Sequence, residues 1–168
     1  MGAMCTGVIG LRAFQDRNDS SFNRVAYFAD RSHGAVPLMR AEIFTSLKIG
    51  YSGEISPLAT QFRNLLESPS AESELERLVR NGSAGARLFG LCGLRLKGSA
   101  RYDLLCQLAS RDERMTAVQH GCGLSIGTVR EALGTRNFKD TCADLATDLE
   151  LSQLPNQALN PVGLGPAG

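Results

Sequence analysis

Between Ser56 and Ser110 the chain keeps starting new helices before the previous one has run more than a few turns. Ser56 offers an N-cap oxygen, and Pro57 takes the first helical position, where its missing N–H is no loss. Leu58, Phe62, Leu65 and Leu66 follow on one apolar face. Ser68-Pro69 repeats the start signal. Leu75, Leu78 and Val79 form the next stripe, with Glu72, Glu74 and Glu76 early and Arg77 and Arg80 late, as the helix dipole favours. Asn81-Gly82 stops that helix, and Gly82 is free to adopt a positive φ. Ser83 opens a third helix with Leu88, Leu91, Cys92 and Leu96 on one side, ended by Lys97-Gly98. Ser99 opens a fourth, with Tyr102, Leu105, Cys106 and Ala109 aligned. Links this short place neighbouring helices antiparallel. The pattern predicts an all-α fold, an irregular bundle or stack of short antiparallel helices. It leaves room for a minor β element near the N-terminus or around Cys122.

The flanks are less regular. Residues 36–48 carry Pro37 near their start and Leu38, Ile43, Phe44 and Leu47 at mostly helical spacing, which predicts a helix. Gly121, Gly123 and Gly127 loosen the backbone around Cys122. Thr128 caps a short helix through Leu133, and Phe138, Cys142, Leu145 and Leu149 mark a last amphipathic helix over 137–151. Residues 1–24 read as an N-terminal extension, 25–152 as one helical domain, and 153–168 as a disordered tail rich in Pro, Gly and Asn.

Composition narrows the function classes. At 168 residues and 43% hydrophobic, the chain can bury one core. With 6% aromatics and no Trp, that core must be filled by Leu, Ala, Val and Cys. A net charge of +1 supplies no overall field to recruit nucleic acid or acidic lipid. No apolar run approaches the roughly 20 residues of a membrane-spanning helix. The five cysteines, Cys5, Cys92, Cys106, Cys122 and Cys142, are odd in number and form no CxxC pair. They predict packed thiols in a reducing compartment, the cytoplasm. Export becomes the expectation only if the N-terminus is truncated or misassigned.

Two resemblances add to this. Ala86, Leu88, Phe89, Gly90, Leu91, Gly93 and Leu94, followed by Gly121-Cys122 and Val129, resemble a pattern in a loose group of bacterial helical, HEAT-like proteins. That resemblance, over residues 83–133, concerns packing and implies no activity, cofactor or catalytic residue. Residues 123–133, GLSIGTVREAL, are similar to the turn and recognition helix of GntR-type winged-helix regulators. The similarity implies that Ser125, Thr128 and Arg130 would approach phosphate or base edges. The chain departs from that pattern at Gln119, where a small residue belongs, and at Gly121, inside the expected first helix. No wing hairpin follows Leu133. Residues 111–140 hold five basic and four acidic side chains, a weak footprint for DNA.

The candidate nucleophile is Cys122, with His120 two residues away to lower its pKa. A zinc site drawn from Cys92, Cys106, His120 and Cys122 lacks the usual ligand spacing, so no metal and no cofactor are predicted. Asp112-Glu113 and Glu72, Glu74 and Glu76 alternate with arginines and read as solvated, salt-bridged surface. There is no P-loop, GxGxxG or Ser-centred elbow. The reading that remains is a non-catalytic protein- or peptide-binding scaffold. A DNA-binding regulator using residues 123–133 and a thiol enzyme centred on Cys122 are its alternatives.

Overall fold

A computed structural model of the chain describes residues 36–148. A four-stranded mixed sheet lies at its centre: β1 (Ile43–Ile49), β2 (Glu54–Ile55), β3 (Met115–Gly121) and β4 (Gly123–Thr128), in the order β2-β1-β3-β4. The inner pair β1–β3 is parallel, and both outer pairs are antiparallel. Helices α1 (Pro57–Leu66), α2 (Ala71–Asn81), α3 (Ala84–Leu96) and α4 (Tyr102–Ala109) precede β3, and α5 (Val129–Gly134) and α6 (Arg136–Asp148) follow β4. The all-α expectation is therefore corrected to an α/β fold.

The correction has a topological reason. Parallel neighbours cannot be joined by a tight turn and need a long crossover. Here the crossover is residues 50–114, which hold β2 and helices α1–α4. The closely linked helices do form, but they serve as a strand-to-strand connection and not as a HEAT-like stack. Ser56 caps α1 by accepting a hydrogen bond from Ala59 N, with Pro57 at the first position. Gly98 ends α3 with φ +63°. Gly82 does not take the positive φ expected of it: its φ is −75°, and a Cβ there would lie 2.5 Å from Leu78 O.

The predicted helix over 36–48 is also corrected. After Pro37 comes a single 3-10 turn, Leu38–Arg40, and then β1. Ile43, Phe44, Thr45 and Ser46 are all buried, so both faces of β1 are covered and no polar alternation betrays it. Phe44 sits between Phe89 of α3 and Phe138 of α6, with ring centroids 4.7 and 5.3 Å away, and Phe62 of α1 lies 5.2 Å from Phe89. Helix α3 is buried nearly all round. Its start is fastened to the strand's approach: Ser83 N donates to Met39 O at 3.1 Å and Ala86 N to Ala41 O at 2.8 Å.

The predicted extension (1–24) and tail (153–168) lie outside the described residues, as do residues 149–151 of the predicted last helix. No helix among the described residues is long and apolar enough to cross a membrane.

Candidate functional site

Because β1 and β3 run parallel, their C-terminal ends lie at one edge of the sheet, and that edge carries the Cys122 segment. β3 and β4 are joined by a two-residue turn, Gly121-Cys122, flanked by the pair His120 and Gly123. Gly121 has φ +56°, the left-handed conformation such hairpin turns require. The turn is tied to β1. Gly50 N donates to Gly121 O at 3.1 Å, and Gly121 N donates to Ser46 Oγ at 3.1 Å. Ser46 Oγ in turn donates to Lys48 O at 2.8 Å, where the β1–β3 register shifts between Thr45 and Ile49. Gln119 Nε2 donates to Gly121 O at 3.4 Å, while its buried Oε1 has no partner among the described residues.

Cys122 and His120 are both exposed at this turn. The hydrogen bonds formed here fix the hairpin to β1, and none of them links the imidazole to the thiol. The other thiols among the described residues are elsewhere. Cys92 of α3 is fully buried beside Cys142 of α6, and burial, then the hydrogen bond it shares as a protonated thiol with Cys142, pushes its pKa well up. Cys106 of α4 is half-buried, and burial raises its thiol too. The four residues considered for zinc are thus divided between core helices and an exposed turn. No group of three or more His, Cys, Asp or Glu among the described residues is arranged to hold a metal.

Residues 123–133 form strand β4 and the six-residue α5, not a turn leading into a longer recognition helix. Ser125 lies half-buried within β4, and its Oγ accepts from Asn137 Nδ2 at 2.9 Å. Thr128 caps α5 in a capping box: its Oγ1 accepts from Glu131 N at 3.2 Å, and its own N–H donates to Glu131 Oε2 at 2.8 Å. Arg130 Nη1 pairs with Glu113 Oε1 at 2.7 Å on the surface.

Asp112 departs from the solvated surface read in the sequence. Its side chain is only 7% exposed and binds two arginines. Arg114 reaches it at 2.7–3.0 Å and Arg87 of α3 at 3.1 Å. Arg114 Nη1 also donates to Gly82 O at 3.0 Å, and Asp112 O accepts from Arg130 N at 3.1 Å. The cluster clamps the ends of α2 and α3 to the start of β3 and α5. The Glu72–Glu76 segment does behave as ion-paired surface: Glu74 pairs with Arg77 at 2.7 Å and Glu76 with Arg101 at 2.8 Å. An open depression of about 560 Å³ lies there, lined by Glu72, Ser73, Glu76 and Arg101 among others.

One feature escaped the sequence reading. On α4, Leu104 and Leu108 are 62% and 45% exposed, one helical turn apart. Tyr102, Leu105 and Ala109 supply the inward stripe of the same helix, so α4 is apolar on both sides. Asp103, Gln107 and Arg111, all exposed, lie around the outward leucines in sequence. The missed signal was the second i, i+4 pair beside the first. Comparison with protein-family models, with curated proteins and with solved structures finds no match to this chain.

Proposed function

We propose that this protein is a non-catalytic protein-binding module and that the outer face of α4 is the surface it uses. The observation that carries this is the Leu104–Leu108 pair, two large apolar side chains held toward water on a rigid helix. Single exposed leucines are ordinary, but adjacent ones presented on one face favour a partner. Helix faces of this kind bind by inserting side chains at i and i+4 into an apolar groove, or by receiving those of a partner helix. The polar residues Asp103, Gln107 and Arg111 would form the rim that such interfaces carry.

The test is a photo-crosslinking residue at position 104 of the full chain, in the cells that make it. The expected result is one discrete adduct with another protein, identified by mass spectrometry. Binding of the two purified proteins should then weaken at least tenfold in Leu108→Glu, since placing a charge in an apolar contact costs more than the ~1.4 kcal/mol that a tenfold change represents. No adduct, or binding indifferent to Leu108→Glu, would remove the reading.

A further inference from the structure

Strand β4 ends the sheet, and among the described residues no strand pairs with its outer edge. The direction of its unused backbone groups follows from the hairpin. His120 and Gly123 close the two-residue turn and so form a hydrogen-bonded pair. By alternation Val118–Ser125 and Thr116–Gly127 are the next such pairs. The N–H and C=O groups of Leu124 and Ile126 therefore point away from β3. Thr128, next in that series, confirms the direction, because its N–H leaves the sheet to reach Glu131 Oε2.

Edge strands are commonly guarded by a Lys, a Pro, an inward charge or a bulge. Residues 122–128, CGLSIGT, contain no charge and no proline, and β4 pairs with β3 without a register break. We infer that β4 is a self-association edge, pairing antiparallel with β4 of a second copy about a two-fold axis at Ser125. In that register Leu124 of each copy faces Ile126 of the other. Each such pair exchanges two N–H···O=C bonds, which satisfies both outward residues of both strands.

A second copy fits this edge for several reasons. An uncharged strand meets itself without like charges opposed, and the chain's net charge of +1 adds little repulsion. Gly123, Ser125 and Gly127 carry little bulk themselves; on that side of the strand Asn137 reaches Ser125 Oγ at 2.9 Å and the Glu131 carboxylate lies beside Gly127, and Ser125 meets its own counterpart at the axis. Leu124 and Ile126, half-buried against the core, would meet across the seam and continue the apolar row of Ile43, Ala117 and Ile126. The two-fold operation closes, so the product is a dimer and not a filament. This inference is independent of the α4 reading.

The full chain should sediment as a concentration-dependent dimer. In the Cys122→Ser background, Ser125→Cys should form an intermolecular disulfide under mild oxidation. Directly opposed residues of a non-hydrogen-bonded pair lie about 4.5 Å apart at Cα, within reach of a disulfide. Gly123→Cys, displaced from the axis, should crosslink far more slowly. Ile126→Pro removes one outward donor per copy without touching the bonds to β3, and Leu124→Lys places a charge on the edge. Each should weaken the dimer at least tenfold with the circular dichroism spectrum unchanged. A monomer at every concentration overturns the proposal, as does a dimer that ignores Leu124→Lys. So do equal crosslinking rates at 123 and 125. If Ile126→Pro fails to fold, the crosslinking comparison decides alone.

Discussion

Asp112 shows how one side chain can hold several elements together. Burial alone would raise its pKa, but the hydrogen bonds and charge of Arg114, with the charge of Arg87, outweigh that and hold the carboxyl below its usual value. Burial, then the neighbouring charge of Arg114, holds the Arg87 guanidinium below the usual arginine range, and Asp112 opposes both. Removing the carboxylate would leave Arg87 buried and facing Arg114 uncompensated, so Asp112→Ala should lower stability by about 3 kcal/mol. The pH dependence has a definite sign. A carboxyl with a depressed folded pKa contributes stability that is present above its unfolded value, about 3.9. That contribution is lost as pH falls through the lower folded value. Thermal unfolding of wild type and Asp112→Asn should therefore differ most near neutrality, with the gap closing below about pH 4. A gap that stays constant into acid would show that the charge of Asp112 is not what stabilises the clamp. The sequence, Arg111-Asp112-Glu113-Arg114, does not reveal which acid turns inward, because both have arginine neighbours and only the course of the chain decides.

At the level of elements, α3 approaches its neighbours closely, and two of its glycines make a test. A Cβ on Gly85 would lie 2.5 Å from Ile43 N and 2.7 Å from Glu42 C, backbone atoms of β1 and its approach that cannot yield. A Cβ on Gly93 would meet the ends of the Leu75 side chain, which can change rotamer. Gly85→Ala should cost about 3 kcal/mol or more, and Gly93→Ala distinctly less, as measured by urea unfolding. Equal losses would mean that the contact of α3 with β1 is softer than its geometry. The helices were legible because caps, Gly-Ser links and 3.6-residue stripes agree, as at Ser56-Pro57 and Thr128 with Glu131. The strands were not. β1 is covered on both faces, so Ile43, Phe44 and Leu47 fit a helical spacing as well, and only the β-branched Ile43, Thr45 and Ile49 pointed the other way. In β3 and β4 the hairpin signal is the Gly121-Cys122 turn, and three glycines around one thiol suggest a loosened backbone as readily as a tight turn.

At the scale of the molecule, the four thiols among the described residues rank by position; Cys5 lies outside them. Cys122 is exposed, Cys106 half-buried, and Cys92 and Cys142 are in the core. Of these four, alkylation of the native protein at neutral pH should modify Cys122 first and Cys106 more slowly. Cys92 and Cys142 should react only on unfolding, as mass spectrometry of timed samples would record. Early modification of Cys92 would contradict both its burial and its raised pKa. Cys122 and His120 lie together at the β3–β4 turn, with no hydrogen bond between them. The sequence did not reveal the outward face of α4 or the open edge of β4, since both depend on what a neighbouring element leaves uncovered.

The crossover also fixes an order of events as the chain leaves the ribosome. β1 emerges early, but its parallel neighbour β3 is not made until residue 115 and beyond. While residues 50–114 are still being added, the only partner of β1 made among the described residues is the two-residue β2. The helices close on local contacts, whereas closing a loop that long is entropically slow. A nascent chain stalled just before Met115 would thus leave the inner edge of β1 unpaired and the Phe138 side of Phe44 uncovered, the stage at which a chaperone would find most to hold.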